Sequence, residues 1–381
     1  MEEASRSVAE RWMDRALELA RQGIAQTSPN PMVGAVLVRD AQVVGEGFYT
    51  YAGLRHAEIL ALEAAGPAAR NASLYVNLEP CCHTGRTGPC TDAILAAGVG
   101  RVVVAVTDPN PAVAGHGIET LRAAGVEVEV GVRQAEAQHL NEAFGCWIST
   151  GRPMVTLKSA LTLDGQIALP DGPRRGKQRW ITSEVSREQV QQMRHAVDAV
   201  LTGIGTVLSD DPQLTDRTGR PRRRKLLRVV VDSRLRLPLD SRLAKSADGD
   251  VLVFTTESPE SRRARTLRGA GVEVVRVRGR TRRPDLRAVV EHVGQREILS
   301  VLLEAGPRLN WAALEAGIVD KMFLFYSPRI LGQSRVPVAR GPQVDRARAL
   351  RAVPELANLT LHRFGPDFAV EWYLRDVHWN Y

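Results

Sequence analysis

The sequence predicts a protein of the α/β class that is divided into two domains. Its 381 residues exceed what one core of ordinary size requires and fit two domains. Segments with apolar residues at helical spacing alternate with short runs of β-branched residues, a pattern typical of layered domains with a largely parallel sheet. A break at Gly151-Arg152-Pro153 separates two such series. We therefore expect one domain at residues 1–149 and a second at residues 150–381.

The first series begins with a helix over residues 8–26, where apolar side chains recur at helical spacing. A turn is expected at Ser28-Pro29-Asn30-Pro31, because proline and asparagine favour turns. Residues 79–89 are rich in Cys, Gly and Pro and predict a loop, and Gly98 is expected to end a helix. The remaining predictions are strands Val33–Val38, Val43–Phe48, Ser73–Asn77, Val102–Val106 and Val126–Val130, helices His56–Ala65 and Thr91–Ala97, and a helix ending near Gly125.

The second series consists mainly of short apolar strands. A helix is expected at Glu184–His195, and the polar, basic segment Arg217–Lys225 is expected to be a surface loop. The predicted strands are Met154–Leu161, Ala199–Leu201, Arg228–Asp232, Val251–Phe254, Val272–Val277, Ser300–Leu303 and Lys321–Tyr326.

The composition narrows the functional classes. The net charge is +8, and only five of the 51 basic residues are lysine. Runs such as Arg222-Arg223-Arg224 could contact nucleic acid, but arginines scattered over solvated loops are the better explanation. Arginine also suits phosphorylated small ligands, because guanidinium binds phosphate oxygens bidentately. No apolar run reaches the ~18 residues of a membrane span, and the acidic start does not resemble a secretory signal, so we expect a cytoplasmic protein.

The strongest chemical signal is His56-Ala57-Glu58 at the start of a helix, followed by Cys81 and Cys90. A catalytic zinc takes three protein ligands and keeps one position open for water, and one histidine with two cysteines supplies these ligands. Glu58 lies in the same helical turn as His56 and can move a proton between the water and a departing amine. Zinc nucleobase deaminases carry this arrangement. We therefore predict a zinc site with ligands His56, Cys81 and Cys90 and with Glu58 as the catalytic residue.

Two alternatives stay open for this site. Cys82 could replace Cys81 as the ligand, although Cys81 directly follows Pro80 as the deaminase signature requires. A closed structural zinc site would need a fourth ligand, and His83 is close in sequence. A closed site would not require Glu58, which favours the catalytic interpretation.

The motifs together resemble those of the bifunctional deaminase–reductases of bacterial riboflavin synthesis, from about residue 10 to about residue 335. The gap of eight residues between Cys81 and Cys90 is the one that this family uses, while Cys82 and Gly88 replace its usual serine and proline. The matching segments are Ser28–Gly34, His56–Glu58, Leu78–Cys90, Asp108–Pro111, Thr156–Lys158, Leu163–Gly165, Trp180–Ser183, Gly203–Val207, Asp210–Thr215, Val231–Ser233 and Glu304–Pro307.

For the first domain, the resemblance implies a cytidine-deaminase-like three-layer fold. It also implies hydrolytic deamination of a diaminopyrimidinone that carries a ribosylamino 5′-phosphate. The residues that match the family's substrate pocket are Asn30, His83, Arg86, Asp108 and Asn110. Amides and carboxylates can read the edge of a ring, and Arg86 can bind phosphate. Each of these residues could also be a simple turn residue.

For the second domain, the resemblance implies a dihydrofolate-reductase-like α/β fold and reduction of the ribosylamino sugar to a ribitylamino chain by NADPH. The residues expected to contact NADPH are Ala160, Trp180, Thr206, Asp210, Ser233 and Gly306. Those expected to contact substrate are Gln178, Arg194, Leu214, Arg217 and Glu304, with the two arginines suited to its phosphate. Gln178 stands where a smaller residue is common, and the role of Lys158 stays open.

Two other functions compete with this one. A tRNA or nucleobase deaminase with an accessory domain would share the zinc motif, but the second half lacks an RNA-recognition signature. A zinc-stabilised binding protein without activity would not need Glu58 beside a complete ligand set. We expect a small phosphorylated pyrimidine as the partner, no nucleic acid and no membrane, and the resemblance implies a homo-oligomer.

Overall fold

The computed structural model describes residues 2–168, 180–279, 282–332, 336–341 and 357–375. The chain forms two compact units. In the described part of the chain, the first unit comprises residues 2–150 and 221–224, and the second comprises residues 151–220 and 225–375.

The first unit is built on a mixed sheet of five strands in the order β2-β1-β3-β4-β5. Its strands are β1 (Gly34–Arg39), β2 (Gln42–Phe48), β3 (Ser73–Val76), β4 (Arg101–Val104) and β5 (Glu127–Val130). The three last strands run parallel, whereas β1 pairs antiparallel with both β2 and β3. A two-residue turn at Asp40 and Ala41, both with positive φ, joins β1 to β2 as a hairpin. Half of the strand pairings are therefore antiparallel, and the expected largely parallel sheet was wrong for this unit.

Helices cover both faces of this sheet and make three layers. They are α1 (Glu2–Arg21), α2 (Ala57–Ala65), α3 (Cys90–Ala96), α4 (His116–Ala123), α5 (Gln134–Leu140) and α6 (Glu142–Thr150), with a short 3₁₀ helix at Gly66–Ala69. Side chains of successive strand residues point to opposite faces. Val36 accordingly packs with Met13 and Leu17 of α1 on one face, and Leu37 packs with Ala61 of α2 on the other.

The second unit contains a sheet of nine strands in the order β11-β10-β9-β8-β12-β6-β13-β16-β15. The described strands are β6 (Met154–Thr162), β7 (Gln166–Ala168), β8 (Ala199–Gly203), β9 (Leu227–Val231), β10 (Val251–Thr255), β11 (Glu273–Arg276), β12 (Ser300–Leu303), β13 (Lys321–Ser327), β14 (Val336–Pro337), β15 (Ala357–Phe364) and β16 (Asp367–Tyr373). Neighbours from β11 to β13 run parallel, and β16 and β15 add an antiparallel edge. The short strands β7 and β14 pair separately.

The helices of the second unit pack on both faces of its sheet. They are α7 (Glu184–Ala196), α8 (Ile204–Asp210), α9 (Arg242–Lys245), α10 (Arg262–Gly269), α11 (Leu286–Gly294) and α12 (Pro307–Glu315). Adjacent residues of one strand again serve different clusters, so that Val229 and Val230 pack on opposite faces. Side-chain oxygens of Ser183, Ser241 and Ser261 accept backbone N–H groups at the starts of α7, α9 and α10.

Most predicted elements lie within two residues of their expected bounds. The first helix is an exception, because it ends at Arg21 and the chain turns through Ala25 at a φ of 62°. Residues 211–226, which include the expected loop Arg217–Lys225, contain no helix or strand. In the part of the chain that the structure describes, no helix is long and apolar enough to cross a lipid bilayer.

Candidate active sites

The first unit brings His56, Cys81 and Cys90 together as a cluster of three potential metal ligands. Nδ1 of His56 lies 3.2 Å from Sγ of Cys90 and 3.4 Å from Sγ of Cys81. A tetrahedral zinc ion with ordinary bond lengths places nitrogen and sulfur ligands about 3.5 Å apart. Among the described residues no further His, Cys, Asp or Glu joins this group, His83 and Cys82 included. The cluster therefore fits zinc with three protein ligands and an open fourth position.

Short helices position these ligands. His56 directly precedes α2, and Cys90 is the first residue of α3. The start of α2 packs on the backbone of β2 so closely that a Cβ at Gly47 would lie 2.5 Å from the carbonyl oxygen of Ala57. A side chain there would push the helix and its histidine away from the cysteines. The glycine thus fixes where His56 can lie.

Contacts within the cluster, together with burial, shift the pKa values of Cys81, Cys90 and the neighbouring Glu58. Hydrogen bonds from Cys90 and His56 lower the pKa of Cys81 to about 4. The same contact with Cys81, together with burial, raises the pKa of Cys90. Glu58 lies in the first turn of α2 with a side chain that is only 3% exposed, and burial raises its pKa. A carboxyl group with a raised pKa, in hydrogen-bond contact with Cys90, can exchange a proton with a molecule bound beside the three ligand atoms.

A buried carboxylate that the sequence analysis did not single out organises the surrounding loop. Glu79 accepts backbone N–H groups of Asp108, Gly115, Gly117 and Ile118 at 2.8–3.1 Å. These bonds connect the segment that precedes Cys81 to the segment that carries Asp108. The sequence shows Glu79 before Pro80 and Cys81 as part of the motif. It does not show that four backbone N–H groups, far from Glu79 in sequence, bind its carboxylate.

The five predicted pocket residues of the first unit lie in three places. Asn30 is in the first, Asp108 and Asn110 are in the second, and His83 and Arg86 are in the third. Asn30 donates to the hydroxyl of Tyr49 at 2.6 Å, and the ring of Tyr49 contacts His56 edge-on. Asp108 is buried and accepts the N–H of Asn110 at 2.8 Å. Tyr49 therefore links a predicted substrate residue to a predicted ligand, and sequence reasoning missed it.

Two predicted residues are on the exposed loop between the cysteines. His83 and Arg86 are exposed, and the guanidinium of Arg86 lies 4.4 Å from the ring centre of Tyr51. An exposed guanidinium on an aromatic ring is available to a phosphate group. Among the described residues, His83 does not belong to the zinc-ligand cluster (His56, Cys81, Cys90).

Burial strongly shifts the acidity of Asp108. The pKa of Asp108 is raised to about 7, mainly by burial and also by the nearby charges of Glu79 and Cys81. At neutral pH this carboxyl group can therefore either donate or accept a hydrogen bond.

In the second unit, Glu304 lies at the centre of a buried ion network. Its carboxylate accepts hydrogen bonds from Nε of Arg194 at 2.6 Å and from Nη2 of Arg194 at 3.1 Å. Nζ of Lys158 lies 3.4 Å from the same carboxylate. Burial by itself would raise the pKa of Glu304, but the charges of Arg194 and Lys158 outweigh it and lower the pKa to about 2. Burial lowers the pKa of Lys158. The network is thus an ionised acceptor held between two cations.

The predicted cofactor residues follow the carboxyl ends of neighbouring strands. Thr206 follows β8, Ser233 follows β9, Gly306 follows β12, and Ala160 lies on β6. A Cβ at Gly306 would meet nothing closer than Oγ1 of Thr206 at 4.0 Å, so open space remains where α12 begins. Ligands of open α/β sheets bind in the crevice outside these strand ends, and a helix start attracts phosphate. These residues fit a dinucleotide.

One cavity in this unit gathers four predicted residues and adds another. Trp180, Arg194, Leu214 and Arg217 line this cavity, which we call the arginine cavity, together with Pro212, Gln213, Thr215 and Arg242. Arg242 was not predicted, because no motif marks it. Among the other predictions, Asp210 accepts a hydrogen bond from Ser209 at 2.8 Å and does not line the cavity. Gln178 lies outside the described residues.

Two buried residues hold the segment that lines the arginine cavity. The guanidinium of Arg228 donates to the carbonyl oxygen of Gln213 and to Asp250, at 3.1 and 2.7 Å. Nδ1 of His195 lies 2.8 Å from the carboxylate of Asp216. Leu214 adopts a φ of 55°, a conformation that costs a non-glycine residue about 1 kcal/mol or more. The surrounding contacts therefore keep this segment in a strained conformation.

Comparisons with known proteins match both halves of the chain. Residues 6–106 match the family described as the cytidine and deoxycytidylate deaminase zinc-binding region, and residues 153–370 match the RibD C-terminal domain. The riboflavin biosynthesis protein RibD of Actinobacillus pleuropneumoniae is 40% identical, over 89% of this chain and 90% of that protein. That of Aquifex aeolicus is 41% identical, over 86% and 89%.

Solved structures agree with these matches. The RibD structure of Acinetobacter baumannii superposes with a TM-score of 0.83 at 37% identity, over 97% of this chain and 99% of that chain. A diaminohydroxyphosphoribosylaminopyrimidine deaminase/5-amino-6-(5-phosphoribosylamino)uracil reductase from Thermotoga maritima superposes with a TM-score of 0.82 at 36% identity, with the same coverage. The predicted fold class, a cytidine-deaminase-like domain followed by an α/β reductase domain, is confirmed.

Proposed function

The chain belongs to the RibD family of riboflavin biosynthesis proteins, and we propose how its residues carry out the two reactions of that family. It is a bifunctional enzyme, a zinc-dependent deaminase and an NADPH-dependent reductase. We assign the deaminase to residues 1–149 and the reductase to residues 150–381, in line with the ranges of the two family matches.

For deamination, we propose that His56, Cys81 and Cys90 hold zinc and that Glu58 moves the proton. When bound, the metal supplies a Lewis acid that makes water a nucleophile near neutral pH. Glu58 takes a proton from the attacking water and delivers it to the 2-amino group, which leaves as ammonia. The observation that carries this proposal is the convergence of three ligand atoms within 4.8 Å beside the buried Glu58.

The substrate that we propose for this step is 2,5-diamino-6-ribosylamino-4(3H)-pyrimidinone 5′-phosphate. Asn30, Asp108 and Asn110 would form hydrogen bonds with the polar edge of its ring. The two amides and the Asp108 carboxyl group, whose pKa is about 7, offer both donors and acceptors. His83 and Arg86 are exposed on the loop between the cysteines, where they are free to bind the ribose phosphate.

For reduction, we propose that the ring-opened imine of the ribosylamino group accepts a hydride at its first sugar carbon while its nitrogen takes a proton. NADPH supplies the hydride. Ala160, Trp180, Thr206, Asp210, Ser233 and Gly306 are the residues assigned to cofactor binding. Gln178, Arg194, Leu214, Arg217 and Glu304 are assigned to the substrate. The ionised Glu304 can accept hydrogen bonds from the hydroxyl groups of the sugar, and its ion pair with Arg194 holds both side chains in place.

We also propose that the partner is this small phosphorylated pyrimidine and that the enzyme is a cytoplasmic homo-oligomer that does not act on nucleic acid. None of the four cysteines is in a disulfide, and two of them are proposed zinc ligands, which suits a reducing compartment. The alternative of a tRNA or nucleobase deaminase with an accessory domain loses its basis, since residues 153–370 match the RibD C-terminal domain.

The deciding experiment supplies the zinc-loaded protein with the diaminopyrimidinone ribosylamino phosphate and follows ammonia and NADPH. We expect ammonia release without NADPH, and NADPH oxidation only after deamination. Ammonia alone would leave the reductase assignment unsupported. The absence of both signals from folded, zinc-loaded protein would contradict the proposed function.

A further inference from the structure

The arginine cavity contains three arginines, but they differ in what their guanidinium groups already bind. Arg194 is engaged through all three of its guanidinium nitrogens. Nε and Nη2 bind the carboxylate of Glu304, and Nη1 donates to the carbonyl oxygen of Thr215 at 3.3 Å. Its charge is thus largely neutralised by Glu304, and few of its donors are left for a ligand.

Arg217 and Arg242 are in the opposite situation. Both side chains are exposed at the cavity, and among the described residues no carboxylate forms an ion pair with either guanidinium. Burial and the nearby charges of Arg194 and Arg242 lower the pKa of Arg217, while the charge of Glu304, which is already paired with Arg194, acts in the opposite direction. Three guanidinium groups thus lie near one another at this cavity. A dianionic phosphate group would relieve this repulsion.

The backbone holds Arg242 at the segment that lines the cavity. The N–H of Arg242 donates to Oδ1 of Asp211 at 2.8 Å, and Ser241 caps the helix that Arg242 begins. The same segment continues through Leu214 to Arg217. Two arginines from separate parts of the chain are therefore kept beside one cavity.

We propose that Arg242, together with Arg217, binds the 5′-phosphate of the reductase substrate. This inference rests on the proposed reductase function and adds a residue that determines substrate specificity. Of the predicted residues that line the cavity, three are assigned to the substrate (Arg194, Leu214 and Arg217) and only Trp180 to the cofactor, which favours the phosphate of the substrate over the 2′-phosphate of the cofactor. The strand-end turns at Thr206 and Gly306 do not line it.

The test compares Arg242→Ala with Arg262→Ala in the full-length enzyme. Arg262 is a matched control, since it is also exposed and is the first residue of a helix that a serine caps. With the deaminated phosphorylated substrate, Arg242→Ala should raise KM about 10-fold to 100-fold, as expected for a charged hydrogen bond, with little change in kcat. Arg242→Lys should recover part of the loss, and Arg262→Ala should behave as wild type.

Two further measurements show whether Arg242 binds the phosphate of the substrate or the 2′-phosphate of the cofactor. With the dephosphorylated substrate, wild type and Arg242→Ala should have the same KM. An unchanged KM for the phosphorylated substrate in Arg242→Ala would overturn the inference. An increase in the KM for NADPH, with no increase for NADH, would overturn it in favour of the cofactor phosphate.

Failure of the proposed function can be recognised separately. If the wild type does not oxidise NADPH, the reductase assignment fails, and calorimetry with ribose 5-phosphate then tests the phosphate site directly. Weaker binding in Arg242→Ala than in Arg262→Ala would still support the site. Equal binding in the two variants would refute it.

Discussion

The two sites of this enzyme are built in contrasting ways. The zinc-ligand cluster comes from one stretch of chain, with His56 and Cys90 separated by 34 positions. The site proposed for the second unit joins Lys158 to Glu304 across 146 positions and draws its other residues from strand ends, helices and the segment 211–226. Metal coordination demands particular side chains at short range, whereas a crevice at strand ends can be lined from anywhere in the sheet.

This contrast explains why one site can be read from sequence more easily than the other. A metal ligand cannot be exchanged for a similar residue, so the cluster leaves a compact motif. A dinucleotide is bound largely by backbone groups at turns, and a phosphate accepts arginines on any adjacent segment. The following experiments test whether the two sites are as independent as their construction suggests.

The largest effect is expected for Glu58→Gln. This variant keeps the size of the side chain but cannot move a proton, so ammonia release should fall about 10²-fold to 10⁴-fold. Zinc content and NADPH oxidation with the deaminated substrate should be unchanged. Glu63→Gln, in the same helix and exposed, is the control. Loss of zinc from Glu58→Gln, or full activity, would contradict the assigned role.

A second effect should be confined to the other unit. Glu304→Gln removes the carboxylate charge between the largely buried side chains of Lys158 and Arg194, which should lower the free energy of unfolding by about 3–5 kcal/mol. NADPH oxidation should fall and ammonia release should persist. Glu315→Gln, exposed at the end of α12, should change neither quantity.

The pH dependence of this network has a defined sign. The pKa of Glu304 is held at about 2, below its ordinary value of 4.5. Its contribution to stability is therefore complete above about pH 4.5 and is lost as the pH falls towards 2. Urea titrations between pH 7 and pH 3 should show that wild type loses stability relative to Glu304→Gln. A constant difference between the two would refute this account.

The deaminase site should show the reverse pH dependence through Asp108. Its pKa is raised from 3.8 to about 7, so the folded state favours the protonated carboxyl group and loses stability as the pH rises through this range. Asp108→Asn should gain about 2.5 kcal/mol relative to wild type between pH 5 and pH 8. Asp92→Asn, at an exposed position of α3, should show no such gain.

The sequence predicted the zinc site better than the hydrogen bonds that hold the surrounding loop in place. His56, Cys81 and Cys90 converge as the motif implied, with Glu58 in contact with Cys90, because coordination chemistry restricts both residue type and spacing. Glu79 was visible in the motif, but its four N–H partners depend on where a distant loop packs. Such tertiary hydrogen bonds leave no local pattern.

The fold shows the same division. Strands such as Val251–Thr255 were predicted because buried parallel strands are continuous apolar runs. The edge strands β15 and β16 were missed, since charged residues interrupt them and their register comes from pairing in the sheet. In the arginine cavity, Arg194 and Arg217 were predicted through the family resemblance alone. Arg242 was missed because one exposed arginine among many carries no signal.

The smallest effect concerns the backbone that carries Arg242. The Oγ of Ser241 accepts the N–H of Ala244 at 3.3 Å, so Ser241→Ala should destabilise the start of α9 by about 1 kcal/mol. Because the helix start would fray, Arg242 would reach the phosphate less often. The KM of the phosphorylated reductase substrate should then rise about two- to threefold, which is less than for Arg242→Ala.

Ser261→Ala provides the matched comparison, since Ser261 caps α10 through the N–H of Ala264 at 3.2 Å. It should cost similar stability in a urea titration and leave KM unchanged, because no residue of α10 lines the arginine cavity. Ammonia release should be unaffected in both variants, since neither serine belongs to the unit that contains the zinc-ligand cluster. Equal KM values for the two variants would mean that the position of Arg242 does not depend on its helix cap. The second site would then tolerate local disorder that a metal site, with ligand atoms fixed to within tenths of an ångström, does not.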